Sequence, residues 1–404
     1  MSSDKRETNG YWKIAPLADF EPPQASTHET FRKKLAQLLR RLRPTKTRVA
    51  EVSGALETAP SSVLDLAAPQ PPLTPFMDAL NAVMDEWLSH REPKNRVMVI
   101  VLPPCDDFDL LRTWARSRQV EIAQDPTRES IMDRDTSVLP DLSGDALLVI
   151  PELERWFRRH HEGLSLVRDL ITHLRDTKRR CVIGVNSWAW GYLTQAADAA
   201  VELPPPLSFA PFDDHALCAW LSDLAESTQA GHVIFRSDST GDVLFDPAEH
   251  CSRNGDATNG NGSSDFFKRL AAVSRGNPWL AWHVFRHSMR VVGDADSRKQ
   301  LEATRDDPRK TIWINPVAEV SLPELSKEVR VAALLVFHAL LLHGELDLAE
   351  LQQVLPPIHA AHVVHRLAAD DLLCVRDGKW RVAPAGYPAI RDALSHAGFP
   401  VDQL

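Results

Sequence analysis

The sequence predicts an α/β chain: a parallel sheet covered by helices, a helical segment after it, and a small C-terminal domain of three helices and a hairpin. Three observations carry this expectation. Continuous apolar runs at residues 96–102 (RVMVIVL), 146–150 (ALLVI) and 181–185 (CVIGV) alternate with stretches of helical spacing, and such runs fit strands covered on both faces. Near the C-terminus, Asp377-Gly378 separates two short strand-like runs, a strong hairpin signal. The chain has 404 residues, of which 44% are apolar, enough for two or three domains with substantial cores.

The elements follow in order. Residues 1–27 read as a polar tail. From about 30 to 42 a helix is expected, because Phe31, Leu35, Leu38, Leu39 and Leu42 recur at helical spacing. Arg32, Lys33, Lys34, Arg40, Arg41 and Arg43 cover its other face. That face suits an anionic membrane surface, nucleic acid or an acidic partner; equally, the apolar stripe can dock on the chain's own core and leave the charges solvated. Residues 52–75, rich in Ala, Ser, Pro and Thr, read as a linker.

In the central region helices are expected at 76–90, 108–117 and 162–175, and further strands at 120–123 and 199–203. Residues 254–265 (NGDATNGNGSSD) read as a flexible loop, 266–292 as helical, and 311–325 as a crossing to the last domain. That domain is expected to hold helices near 326–343, 347–355 and 358–370, then strands at 373–376 and 380–383. Three helices and a hairpin make a winged helix, a variant of helix-turn-helix. The expected organisation is therefore 1–75 tail, basic helix and linker; 76–225 α/β core; 226–310 loop insertion and helical lid; and 311–404 winged helix.

Composition excludes several classes. The formal net charge of −9 argues against a basic nucleic-acid coat. Five cysteines without a CxxC pair argue against a disulfide framework or zinc site and suit a reducing cytoplasm. No secretory signal and no membrane-length apolar stretch is visible, so a cytoplasmic protein is expected, peripheral at a membrane if the basic helix binds one. Sixteen histidines include His160-His161 and the set His359, His362 and His365, but no convincing ligand set surrounds them, and no metal is expected. No nucleophile-elbow motif is present.

The loop after the first buried strand carries the functional signal. A phosphate-binding loop needs glycines for backbone approach, a Lys for the β/γ-phosphates and a Ser/Thr hydroxyl for Mg²⁺. Here the strand ends in Leu102-Pro103-Pro104-Cys105-Asp106-Asp107-Phe108-Asp109. The next buried strand ends Ile150-Pro151-Glu152, and the one after it ends Val185-Asn186. Downstream lies Arg275-Gly276-Asn277-Pro278-Trp279. Taken in this order, the chain resembles a P-loop NTPase of the AAA+/STAND (Orc/Cdc6-like) type with a C-terminal winged helix.

The resemblance, which covers roughly 76–300 for the ATPase-like core and 311–395 for the winged helix, implies positions for each motif. Cys105 and Asp107 stand where the family has glycines, Phe108 at the lysine and Asp109 at the Ser/Thr. Pro103 and Pro104 match the family's prolines but remove two amide donors. Pro151 replaces the Mg²⁺-binding Asp, and Glu152 keeps the catalytic Glu position; its plain reading is a solvated helix-start carboxylate. Asn186 matches the sensor 1 position, or caps a helix. Gly276 and Pro278 resemble the STAND Gly-x-Pro motif, or form an ordinary turn that opens a helix. Trp279 stands where a sensor 2 Arg would be.

The expected function is that of a non-catalytic pseudo-ATPase: a regulatory or scaffold protein that acts through protein–protein interaction and needs no cofactor. Its expected partner is a protein, an active ATPase or a membrane-associated one. The competing reading is an ATPase that binds nucleotide atypically and acts on DNA or in signalling. Arg366, Arg376, Lys379 and Arg381 in the last domain are its candidates for nucleic-acid contact.

Overall fold

Six consecutive apolar residues cannot rest on a solvated sheet face, and in the computed structural model they occupy the sheet's interior. The structure describes residues 11–24, 56–90, 95–106, 108–227, 233–238, 241–247, 261–292, 310–315, 327–356 and 360–404. These fall into two compact units. The first comprises 1–20, 73–210 and 320–404; the second comprises 21–72 and 211–319.

The first unit is built on a six-stranded sheet. Its strands are β1 (Ile14–Pro16), β3 (Val97–Leu102), β4 (Glu121–Ile122), β5 (Leu148–Ile150), β6 (Cys181–Asn186) and β7 (Leu207–Phe209), in the order β1-β7-β3-β6-β5-β4. Strands β7, β3, β6, β5 and β4 are mutually parallel, and β1 adds antiparallel to β7. The α/β class with a largely parallel central sheet is thus as expected.

From β3 the chain crosses β6 and β5 to reach β4, steps back through β5 to β6, and then passes over β3 to β7. Right-handed crossovers put the outward and returning connections on opposite faces. Accordingly Val97, Val99 and Val101 of β3 pack with Leu166, Leu170 and Leu174 of a helix at Ser165–Arg175 and Leu193 of one at Ser187–Ala196. On the other face Leu111, from the helix at Leu110–Ser117, lies against Gly184. A doubly wound sheet of this kind leaves a crevice at the strands' carboxyl ends where the winding reverses. That place is the end of β3.

Numbered along the chain, the helices are α1 (Ser61–Ala67), α2 (Thr74–Ser89), α3 (Leu110–Ser117), α4 (Arg128–Met132), α5 (Ser165–Arg175), α6 (Ser187–Ala196), α7 (Ala199–Glu202), α8 (Asp214–Glu226), α9 (Asn261–Ser274), α10 (Pro278–Ser288), α11 (Lys327–His343), α12 (Leu348–Val354), α13 (Ala360–Ala369) and α14 (Tyr387–His396). The C-terminal part of the first unit holds α11, α12 and α13, then β12 (Leu373–Arg376) and β13 (Lys379–Val382), then α14. Asp377 and Gly378 have φ of 51° and 79°, and Arg376 pairs with Lys379, the two-residue hairpin the Asp-Gly signal predicts. α14 was not among the expected elements.

Several expectations are corrected. The tail is structured at 11–20: β1 pairs with β7, and Trp12 is buried edge-on to Phe76 and Phe209. Ala199–Glu202 is helical rather than a strand; its Ala-rich sequence favours helix, and the last parallel strand comes after Pro204-Pro205-Pro206. The linker contains β2 (Leu56–Thr58) and α1. Its Ala/Ser/Pro composition hid a short apolar face, since Val63 and Ala67 are buried.

The second unit is not a purely helical lid. β2, β8 (Val233–Ser237), β9 (Val243–Phe245), β10 (Met289–Val292) and β11 (Lys310–Ile314) form a mixed sheet, β2-β10-β11-β8-β9. The expected crossing at 311 therefore begins inside β11, and the expected boundary at 225/226 cuts α8, which belongs to this unit. The flexible loop is helical from Asn261; its earlier part lies outside the described residues. Cys218 is held in a disulfide, which spacing along the chain cannot reveal, because pairing depends on distance in space.

Candidate functional site

The crevice at the end of β3 holds a cavity of about 80 Å³, lined by the loop after β3, the turn after β5, the end of β6, the C-terminus of α11 and the β12–β13 hairpin. Every lining element belongs to the first unit.

The loop after β3 folds around a carboxylate. Asp106 Oδ1 accepts the N–H of Phe108 (2.9 Å) and Oδ2 accepts the N–H of Leu110 (3.0 Å). The second amide is one of those at the start of α3 that lack a helical partner. Cys105 and Asp109 take left-handed backbone, with φ of 64° and 45°. Burial raises the Asp109 carboxyl pKa above its usual value, and the neighbouring Glu152 adds to the rise. Pro103 and Pro104 line the cavity, whereas Asp107 lies outside the described residues.

The turn after β5 sits close on β6. A Cβ on Gly184 would stand 2.1 Å from the Pro151 carbonyl oxygen, so only glycine lets this turn approach. Glu152 is taken up by cations: Arg112 Nη2 donates to it at 2.6 Å and Arg155 Nε at 3.0 Å. Arg112 also donates to Asp125 at 2.9 Å, and Arg155 to Glu345 at 3.2 Å. The plain reading of Glu152 as a solvated carboxylate is therefore replaced by that of an ion-paired one.

Glu154 is deeper. Burial pushes its pKa up to about 8, with the charge of Glu152 adding to the effect, and it accepts the Asn186 N–H at 3.1 Å. Asn186 caps α6, its Oδ1 accepting from Ala189 N at 2.7 Å, while its Nδ2 donates to Leu342 O at 3.2 Å. Beside it His343 is held neutral. Burial, helped by Arg158, pushes its pKa down to about 3. Its Nε2 accepts the Arg159 N–H at 3.3 Å, which leaves Nδ1 to donate to Glu154 O at 3.4 Å.

The hairpin reaches the crevice with its cations. Arg376 lies 3.8 Å from Asp109, Lys379 lies 3.8 Å from Glu345, and Arg381, buried, donates to Asp106 O at 3.3 Å. Arg366 is exposed on α13. The four candidates for nucleic-acid contact therefore divide, three facing inward and one outward.

Gly276 and Pro278 lie in the second unit. Gly276 has φ of 77°, and a Cβ there would stand 2.4 Å from Pro211. Asn277 caps α10 by accepting from Trp279 N and Leu280 N, with Pro278 opening the helix. Trp279 is buried edge-on to Trp220. The basic-helix residues Arg32, Lys33, Lys34, Arg40, Arg41 and Arg43 lie outside the described residues. Among the described residues, His160, His161 and Glu162 bring potential ligand atoms within 4.8 Å of one another on an exposed turn. No described helix is long and apolar enough to cross a membrane.

Sequence reasoning missed Arg112, Asp125, Glu154, His343 and Glu345. They come from separate elements, and no spacing links them. Asp106 was legible, since Asp followed by a helix start is a common cap, but beside Asp107 and Asp109 it reads first as negative charge.

No protein-family model and no curated protein matches this chain. Solved structures similar to it include the ORC2 protein of Aeropyrum pernix in ADPNP-ADP complexes, at 12% identity and a TM-score of 0.36, covering 81% of this chain and 95% of that one. The ORC1 protein of the same organism in complex with DNA matches at 16% identity and 0.31, covering 83% and 97%. Cdc6p from Pyrobaculum aerophilum matches at 11% and 0.24, covering 84% and 99%. Likenesses at these scores carry no structural argument; strand order and crossover pattern carry the fold.

Proposed function

We propose that this chain is a pseudo-ATPase, a regulatory or scaffold protein that works by binding protein partners and not by hydrolysing nucleotide. The observation that carries the reading is the Asp106 carboxylate. It takes the amides of Phe108 and Leu110, the kind of backbone donors that a phosphate loop offers its ligand.

Further features support it. The positions that the resemblance assigns to the lysine and the Mg²⁺-binding Asp are Phe108 and Pro151, which offer neither a cation nor a metal ligand, and at the hydroxyl position the Asp109 carboxylate lies 3.8 Å from Arg376. Glu152 is neutralised by two arginines, which removes it as a base for polarising water. The cavity of about 80 Å³ is small beside the roughly 300–1,000 Å³ typical of small-molecule sites. The residues here do not fit a nucleoside triphosphate with its metal.

Isothermal titration with ATP and ADP, each with Mg²⁺, tests this. No heat of binding at millimolar ligand is expected. Micromolar affinity would sink the reading and favour an ATPase that binds nucleotide by another route.

A further inference from the structure

The turn that leads into α5 is fixed by its own backbone. Arg158 N–H donates to Gly163 O at 3.0 Å, His160 N–H to Arg158 O at 2.7 Å, and Gly163 N–H to His160 O at 3.1 Å. A Cβ on Gly163 would stand 2.6 Å from Arg158 O, so only glycine closes the turn this tightly. The side chains of Arg158 and Arg159 run inward, to Glu350 and to His338 Nδ1, each at 2.6 Å. At the tip His161 and Glu162 are exposed and His160 is half-buried.

These three tip residues bring two imidazole nitrogens and a carboxylate oxygen within 4.8 Å of one another. His161 Nε2 lies 3.6 Å from Glu162 Oε1. That is too long for a hydrogen bond, but close to the spacing of about 3.4 Å between two ligands of a tetrahedral ion with bonds of about 2.1 Å. The rings of His160 and His161 are neighbours, with centroids 4.1 Å apart. Among the described residues His160 makes one side-chain hydrogen bond, accepting the Glu162 N–H at Nδ1 over 3.3 Å. A contact that long is little to give up on ligation.

We propose that His160, His161 and Glu162 form a site for one divalent transition-metal ion of the zinc class, with a further position open to water. Two imidazoles and a carboxylate suit Zn²⁺, Co²⁺, Ni²⁺ or Cu²⁺, whereas Mg²⁺ and Ca²⁺ prefer oxygen ligands throughout. Three adjacent residues on a loose loop would lose much of their freedom on ligation. Here the backbone hydrogen bonds and the two inward arginines order the turn beforehand, which lowers that cost. The site goes beyond the pseudo-ATPase reading and does not depend on it.

The test is titration of the full chain with Co²⁺ at neutral pH, followed by visible d–d absorption and by thermal melting, with Zn²⁺ as competitor. One Co²⁺ per chain is expected, displaced by Zn²⁺, and the bound ion should raise Tm. His161→Ala should weaken Co²⁺ binding roughly 100-fold or more, since loss of even a group that supports a ligand costs about 10–100-fold. Glu162→Gln, which keeps an oxygen without the charge, should weaken it by at least roughly tenfold. Both side chains are exposed, so both variants should melt as the metal-free unaltered chain does. His362→Ala/His365→Ala, which removes two exposed histidines three apart on α13, should leave Co²⁺ binding unchanged. No Co²⁺ absorption, several equal sites, binding undiminished in His161→Ala, or binding lost in the α13 variant each overturns the proposal.

Discussion

Glu154 and His343 touch each other, and each is held in its neutral form. Glu154 keeps its proton in the folded protein up to about pH 8, against an ordinary value of 4.5. The folded state thus binds the extra proton between those limits, and the stability this contributes is full below about 4.5 and lost as pH rises toward 8. The histidines behave in the opposite sense. Burial, then Arg159, pushes His338 down to about 4, and His343 lies near 3, against 6.5 when unfolded. The unfolded chain takes up those protons first, so their contribution is lost as pH falls below 6.5. Thermal stability should therefore peak near pH 6.5. Glu154→Gln, which mimics the protonated acid, should flatten the limb from there to pH 8. An undiminished alkaline decline in that variant would show that Glu154 does not cause it.

At the scale of elements, two short segments set the crevice: the loop after β3 and the turn after β5. Asp106 gives the first its shape by accepting two amides. Asp106→Ala should cost about 1 kcal/mol, the usual loss of a side-chain cap, read as a lower urea midpoint at unchanged m-value. The second depends on Gly184, because Pro151 O would lie 2.1 Å from any Cβ there. Backbone must move to admit a methyl, so Gly184→Ala should cost about 1–3 kcal/mol, as overpacking does. A neutral outcome would mean that the turn is not held against β6. Both glycine and aspartate were plain in the sequence, but the atoms they serve were not.

Across the whole first unit, the C-terminal part is fixed by buried polar groups outside the hairpin. Asp402 gathers Ser187, Tyr387 and Arg391, and Trp188 donates to Tyr387 at 3.1 Å. Leu404 enters the core beside α5 and α6 residues. Asp402→Ala strands the partly buried Arg391 cation and should cost about 3–5 kcal/mol, whereas Arg376→Ala should cost under about 1 kcal/mol. Chemical denaturation of the two variants side by side measures the difference. Equal losses would contradict the placing of the anchor at Asp402.

The sequence by itself determined the α/β class, the buried strands 96–102, 146–150 and 181–185, and the Asp377-Gly378 hairpin. Each is written in contiguous residues, as an apolar run or a turn pair whose period belongs to one kind of element. It also placed the candidate crevice, because the loops after three successive strands meet at one end of a parallel sheet. Only the tertiary structure decided what fills that crevice. Arg112, Asp125, Arg155 and Glu345 arrive from different parts of the chain, and with Glu152 they form one run of ion pairs only once the chain has closed. The same holds for β1 and β2, three residues each. Strands that short have no periodicity to read; they exist because a neighbouring edge offers hydrogen bonds. The loop after β3 uses the Asp106 carboxylate as its own ligand, and that follows from where the amides of Phe108 and Leu110 point.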